Sequence, residues 1–174
     1  MKARYEVYCD MVTDGGGWTL VGRSRNTPQM PGCSATDGGS NFGWYQSQGS
    51  VNDDNQAYSL GAGQKGLVFS LVLFGDHNGG KTFASAAYRQ PVVANFLTTY
   101  TVTHYFIGTP TTILGGCNTS SMFNWLGFTM NTDNFHMRDV DGNGFGLSAS
   151  GWRSCYDDCV GGNINGKPGM VYVR

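Results

Sequence analysis

Three oxygen-bearing side chains recur at alternate positions in "RDVDGNGFG", residues 138–146: Asp139, Asp141 and Asn143, followed by Gly144. Calcium is a hard cation that takes six to eight oxygen ligands at about 2.3–2.6 Å. Closely spaced carboxylates and backbone carbonyls in a turning loop supply such a set. The full EF-hand pattern fails, because its twelfth position holds Ser150 and not glutamate. The competing reading is a solvated cluster of Asx turns. Two aspartates at this spacing, ahead of Asn-Gly, favour calcium.

The next stretch, "SGWRSCYDDCVGGNING" (150–166), sets Trp152, Tyr156, Asp158 and Asn163 among glycines and two cysteines. Aromatic faces take the CH face of a pyranose, while carboxylates and amides bond its hydroxyls. For Trp152 alone the stronger alternative is a core ring beneath the loop; Tyr156 and Asp158 are expected at the surface. His136, just before the aspartate loop, is expected to border the same surface. If Tyr156 and Asp158 do not bind, the aromatic stretch from Phe42 to Tyr58 is the next place to look.

Other chemistries find little support. No Gly-x-Ser-x-Gly elbow occurs, and the three histidines, His77, His104 and His136, are scattered. Ser, Cys and Asp adjacent in "GWRSCYDD" do not make a triad without a base converging in space. "SLGAGQKG" lacks the Gly-Lys-Ser/Thr ending of a phosphate loop. No Cys-x-x-Cys pair suggests zinc, so five cysteines, Cys9, Cys33, Cys117, Cys155 and Cys159, read as disulfide material in an oxidising compartment. The odd count leaves one free or paired outside this sequence. Asn118-Thr-Ser120 is a glycosylation sequon.

The bulk numbers agree with a binding role. The 174 residues carry 13% charged side chains, a net charge of −1 and no basic cluster, so neither nucleic acid nor an anionic membrane is indicated. The longest apolar run, 66–75, is too short to span a bilayer. Aromatics at 13% with 27 glycines describe loops braced by rings in an α+β or mostly β scaffold. No leader pattern precedes the first strand, so a mature fragment with an added Met, or release by another route, is expected.

The elements that must position these groups follow from patterning. Tyr5 to Asp10 alternates as a strand, Thr13 to Gly17 is a turn with Asp14 suited to an Asx turn, and Trp18 to Val21 returns. The Gly/Ser/Asn-rich stretch from Pro28 to Gly66 is expected to be ordered by Phe42, Trp44, Tyr45 and Tyr58. Leu67 to Phe74 reads as a buried strand, 75–82 as a turn, Pro91 to Leu97 as a short helix and Tyr100 to Ile107 as a strand. Ser120 to Leu126 reads as a helical turn or two. Phe128 to about Gly169 reads as loops, and Met170 to Arg174 as a closing strand. No repeat or linker divides the sequence.

"VYCDMVTDGGGWTLVGRS" (7–24) closely resembles the entry motif of fibrinogen-related domains, the family of ficolins, tachylectins and, more distantly, intelectins. "RDVDGNGFG" resembles that family's calcium loop, and Trp152, Cys159 and Asn165-Gly166 stand where the family has Gly-Trp, a cysteine and Asn-Gly. The resemblance implies one domain over 1–174: α+β, with mixed antiparallel sheets and few short helices. Its parts would be an N-terminal hairpin (4–24), a central sheet region (60–128), a loop-rich calcium and ligand region (129–169) and the closing strand (170–174). In that pattern Trp18 is a core ring under the glycine turn. The side chains of Asp139 and Asp141 and the carbonyls of Asn143 and Phe145 would ligate calcium.

The departures are specific. Val160 stands where many relatives have histidine beside an acetyl pocket, and Lys167-Pro-Gly-Met170 replaces pocket-walling aromatics. The cysteine partner inside the calcium loop is missing, Cys155 is extra, and the upstream segment with the partner of Cys9 is absent, as in a divergent, shortened member. "MPGCSATDG" is faintly intelectin-like, which implies a bridge from Cys33 to Cys155 or Cys159 and a free Cys9. A local Cys155–Cys159 bridge is the rival. The expected function is calcium-supported carbohydrate binding at an extracellular or particle surface, without catalysis. Its partners would be glycans or a glycosylated surface, bound weakly per site, with oligomers adding avidity. The alternative is a protein-binding adhesion or tail module with a purely structural calcium ion.

Overall fold

In the computed structural model the described residues are 4–26, 42–84, 87–91, 105–107, 125–129, 135–139, 144–154 and 167–174. They form the antiparallel sheets expected of the α+β reading, two in number, and among the described residues none of its few short α-helices. The larger sheet has the order β3 (Ser47–Gln48), β4 (Tyr58–Leu60), β2 (Trp18–Arg23), β12 (Gly169–Val173), β5 (Leu71–Asp76), β6 (Ala87–Pro91) and β7 (Tyr105–Ile107). An extra strand, β1 (Cys9–Asp10), pairs with β2. The smaller sheet has the order β11 (Gly151–Ser154), β10 (Gly144–Ser148), β9 (Phe135–Asp139) and β8 (Trp125–Thr129).

The hairpin at the start explains its three glycines. Gly15, Gly16 and Gly17 all take positive φ (82°, 76° and 79°), which a Cβ disfavours. At Gly16 a Cβ would lie 2.4 Å from the Met11 carbonyl oxygen. The turn closes over Trp18, which is fully buried, and the Arg174 guanidinium lies 4.4 Å from that ring's centroid. The same guanidinium donates to the Asp14 and Gly16 carbonyls at 3.0 and 2.8 Å. The Asx turn expected of Asp14 is made by Asp10, whose Oδ1 accepts the Val12 and Thr13 amides at 2.8 and 2.9 Å. Asp14 pairs instead with Arg89 at 2.6 Å. Regular pairing on the first arm is confined to Cys9–Asp10, less than the run expected from Tyr5.

Other elements differ from their sequence readings for local reasons. The strand expected over Leu67 to Phe74 runs from Leu71 to Asp76, and Val68 is 97% exposed. An apolar run alone does not fix where pairing begins: here the Ser70 and Leu71 amides turn to the Arg174 carbonyl. Trp125 and Leu126, expected in a helical turn, open β8, and the region expected to be loops from Phe128 contains β9 to β11. Of the expected helix only Pro91 is described, as the end of β6; the rest lies outside the described residues. The closing strand is as expected, and it lies centrally, buried along its length between β2 and β5.

The two sheets share one core. Phe135 packs on Phe42 and Trp44 (centroids 5.4 and 4.6 Å), and Trp152 packs on Phe74 (5.9 Å). Two glycines of the large sheet make room: a Cβ at Gly22 would fall 2.2 Å from the Phe135 ring, and one at Gly169 2.1 Å from the Trp152 indole nitrogen. Phe42, Trp44 and Tyr58 are buried, so residues 42–66 of the stretch expected to be ordered by rings are held by them, while 28–41 lie outside the described residues; Tyr45 is 42% exposed.

Beneath β2 the fully buried Arg23 bonds the Asp54 carboxylate at 2.6 Å and the Asp53 carbonyl. Lys81 also bonds Asp54 at 2.6 Å; this bond, more than the charges of Lys81 and Arg23, holds that carboxyl below its usual range. His77 is buried beside them. Its Nδ1 accepts the Gly79 amide at 3.1 Å, which leaves Nε2 to donate to the Ser24 carbonyl at 3.2 Å. Burial first, then the Arg23 charge, lowers its pKa from 6.5 to about 4. Above about pH 6.5 the imidazole is neutral in both states and its stabilisation is fully present. As pH falls from 6.5 towards 4, the unfolded polypeptide takes up a proton that the folded protein does not, and stability falls. Urea unfolding is expected to show a loss of about 2 kcal/mol between neutral pH and pH 5. Asp54, whose folded pKa lies below 3.8, loses its contribution only at lower pH. His77→Gln is expected to flatten the step above pH 5; an undiminished step in that variant would contradict the assignment.

Candidate functional site

The smaller sheet arranges the residues singled out for chemistry. β9 and β10 pair with Phe135 opposite Leu147, His136 opposite Gly146, Met137 opposite Phe145 and Arg138 opposite Gly144. Residues 140–143, which follow β9 and precede β10 in the sequence, include Asp141 and Asn143. Asp139 ends β9, where it also pairs with Trp125 of β8. Phe145 is the second residue of β10 and pairs with Ser154, the last residue of β11.

This register has a consequence for the second predicted segment. β9 ends, β10 begins and β11 ends at the same edge of the sheet. The backbone thus departs toward Tyr156 from the end that carries the Asp139 hairpin. The departure is anchored on both sides, because Trp152 donates its amide to the Lys167 carbonyl at 2.9 Å and the His77 amide bonds the Pro168 carbonyl at 3.1 Å. Tyr156, Asp158 and Asn163 lie outside the described residues, as do Asp141, Asn143, Cys33, Cys155 and Cys159. His136 is placed in mid-strand on β9. Cys9 is exposed, with a free thiol among the described residues. Among those residues no three His, Cys, Asp or Glu side chains cluster.

Trp152 is the member of the expected ligand set that must be withdrawn. Its side chain is fully buried against Phe74 and Gly169, so neither face is open to a sugar. Its role is to lock the sheet that carries the hairpin onto the larger sheet. The core alternative weighed for it is the one the fold adopts.

A concavity lies beside β3 and β4. Tyr5 and Glu6 from the N-terminal arm, Ser47 and Gln48 of β3, Tyr58 of β4, and Lys65 line a groove of about 330 Å³. Sequence reasoning reached it only as the fallback stretch from Phe42 to Tyr58. Nothing in the spacing of Tyr5, Glu6 and Lys65 announces that they meet.

The family model for the fibrinogen beta and gamma chains, C-terminal globular domain, matches residues 1–172. No curated protein matches the sequence.

Proposed function

The protein belongs to the family of C-terminal globular domains of the fibrinogen beta and gamma chains, and we propose that it is a calcium-supported carbohydrate-binding domain acting at an extracellular or particle surface. Domains of this family are generally non-enzymatic binding domains, with lectin-like and protein-binding members, and are typically extracellular. Among the described residues no helix is long and apolar enough to cross a membrane. The observation that carries the finer reading is the register of β9 to β11. It sets Arg138, Gly144 and Ser154, which flank the oxygen-rich stretch and precede Tyr156 in the sequence, at one end of the sheet.

The donor set fits the ion. Asp139 and Asp141 offer carboxylates, Asn143 and Phe145 offer carbonyls, and no sulfur or imidazole lies in the link, as a hard cation requires. When bound, calcium would neutralise the two carboxylates and hold the hairpin in one conformation. The protein's own groups do the recognition. Tyr156 supplies a ring and a hydroxyl, Asp158 accepts sugar hydroxyl bonds, the Asn163 amide donates and accepts, and His136 borders from β9. Val160 in place of histidine removes the reason for strict acetyl selectivity, which leaves a neutral glycan bound weakly per site.

Tyr156→Ala and Asp158→Ala are each expected to weaken glycan binding about tenfold or more, the loss of one or two hydrogen bonds to the ligand, with an unchanged melting temperature. Full binding in both variants would move the site elsewhere. If the wild type binds no glycan at millimolar concentration, the protein-binding alternative takes its place.

A further inference from the structure

We infer that the groove between the N-terminal arm and β3–β4 is a second, calcium-independent ligand site, which takes a single neutral hexopyranose unit against Tyr5, with Tyr58 and Gln48 as its polar floor. This inference rests on the groove and not on the calcium hairpin.

Tyr58 is the first observation. Its side chain is 4% exposed, yet its hydroxyl has no hydrogen-bond partner among the described residues, although the residue lines the groove. A buried, unbonded hydroxyl is costly and calls for an explanation. Burial foremost, against the opposing Arg23 charge and together with Glu6 and Tyr5, pushes the phenol up to about 12. It is therefore an O–H donor at neutral pH. Gln48 is the second observation: its Oε1, also buried, lacks a donor among the described residues. Two residues that each carry a buried, unmet polar atom thus line one concavity.

The remaining walls select the class of occupant. The Glu6 carboxylate accepts the Asn52 side-chain amide at 2.9 Å and retains acceptor capacity. Lys65 bonds the Ser47 hydroxyl at 2.6 Å and lies 5.5 Å from the Tyr5 ring centroid. One carboxylate and one ammonium cancel, which disfavours a strongly anionic or cationic guest. The Tyr5 ring is 44% exposed and presents an apolar face. Hydroxyls that both donate and accept, around a CH face, match this lining. The volume of about 330 Å³ is at the small end of ligand pockets and suits one ring rather than an oligosaccharide.

The test titrates a panel of methyl hexopyranosides into the wild type and the Tyr58→Phe variant, in calcium and again in EDTA with the same outcome expected in both, and follows amide shifts by NMR. At least one glycoside is expected to shift residues of β3 and β4 in the wild type. Tyr58→Phe is expected to weaken that binding about tenfold, the equivalent of about 1.4 kcal/mol, while melting at the same temperature or higher because a buried unbonded hydroxyl is removed. Tyr5→Ala, at an exposed ring, provides a second variant and is expected to weaken the same binding. Asp158→Ala is expected to leave these shifts intact, which separates the groove from the calcium-edge site. A wild type that shifts with inorganic phosphate but with none of the glycosides, or equal affinity in all the groove variants, overturns the inference.

Discussion

Replacing Trp152 by alanine is expected to destabilise the protein by about 3–5 kcal/mol, the usual cost of truncating a fully buried aromatic side chain. The indole is the contact through which β11 reaches Phe74, and it fills the space that Gly169 leaves open. Repair by collapse is limited, because β12 behind it is pinned on both sides by β2 and β5. For a protein of this size each kcal/mol shifts the melting temperature by roughly 2–4 °C, so calorimetry is expected to show a drop on the order of 10 °C. Trp152→Phe is expected to recover much of it. A loss below about 1 kcal/mol would mean that the ring is not part of the core.

Calcium is expected to raise the melting temperature of the wild type, and Asp139→Ala or Asp141→Ala is expected to abolish that rise. An ion bound only by the folded state adds RT ln(1 + [L]/Kd), roughly 2.7 kcal/mol at a hundredfold excess over Kd and about 4.1 at a thousandfold. Asp139 ends β9 and Asp141 follows it in the sequence before β10, so loss of either removes one of the two carboxylates expected to hold the ion. Each variant without calcium is expected to melt close to the wild type in EDTA. Identical wild-type melts in calcium and in EDTA would remove the site.

The parts of the fold legible in the sequence are those where local chemistry and packing agree. Three glycines before Trp18 announce a tight positive-φ turn over a ring, and the apolar Met170–Val173 run announces a buried strand. The smaller sheet was not legible, because its strands break the usual composition. β10 reads Gly-Phe-Gly-Leu-Ser, and glycine is depleted in strands. Phe135 finds its place through Gly22, more than a hundred positions earlier in the sequence, a fit that no local window contains. The onset of β5 was missed because an apolar run does not say which of its residues has a pairing partner.

The candidate site was legible as a set of side chains and not as an arrangement. The spacing of Asp139, Asp141 and Asn143 is a local signal, and it names the hairpin link without the fold. For Trp152 a core ring is the stronger reading of the sequence and a ligand wall the weaker, and packing against Phe74 decides for the core. The groove at Tyr58 joins residues from four separate stretches, and its marker is an unbonded hydroxyl, which is a property of the folded state.

The most direct test of calcium-supported carbohydrate binding is a glycan array probed with the Tyr5→Ala protein, in which the groove beside β3 and β4 is weakened, in calcium, in EDTA and after calcium is restored. Binding to neutral glycans is expected to fall about tenfold or more in EDTA and to return with calcium. Binding of equal strength in EDTA, or no neutral glycan bound in calcium, would contradict a calcium-supported lectin.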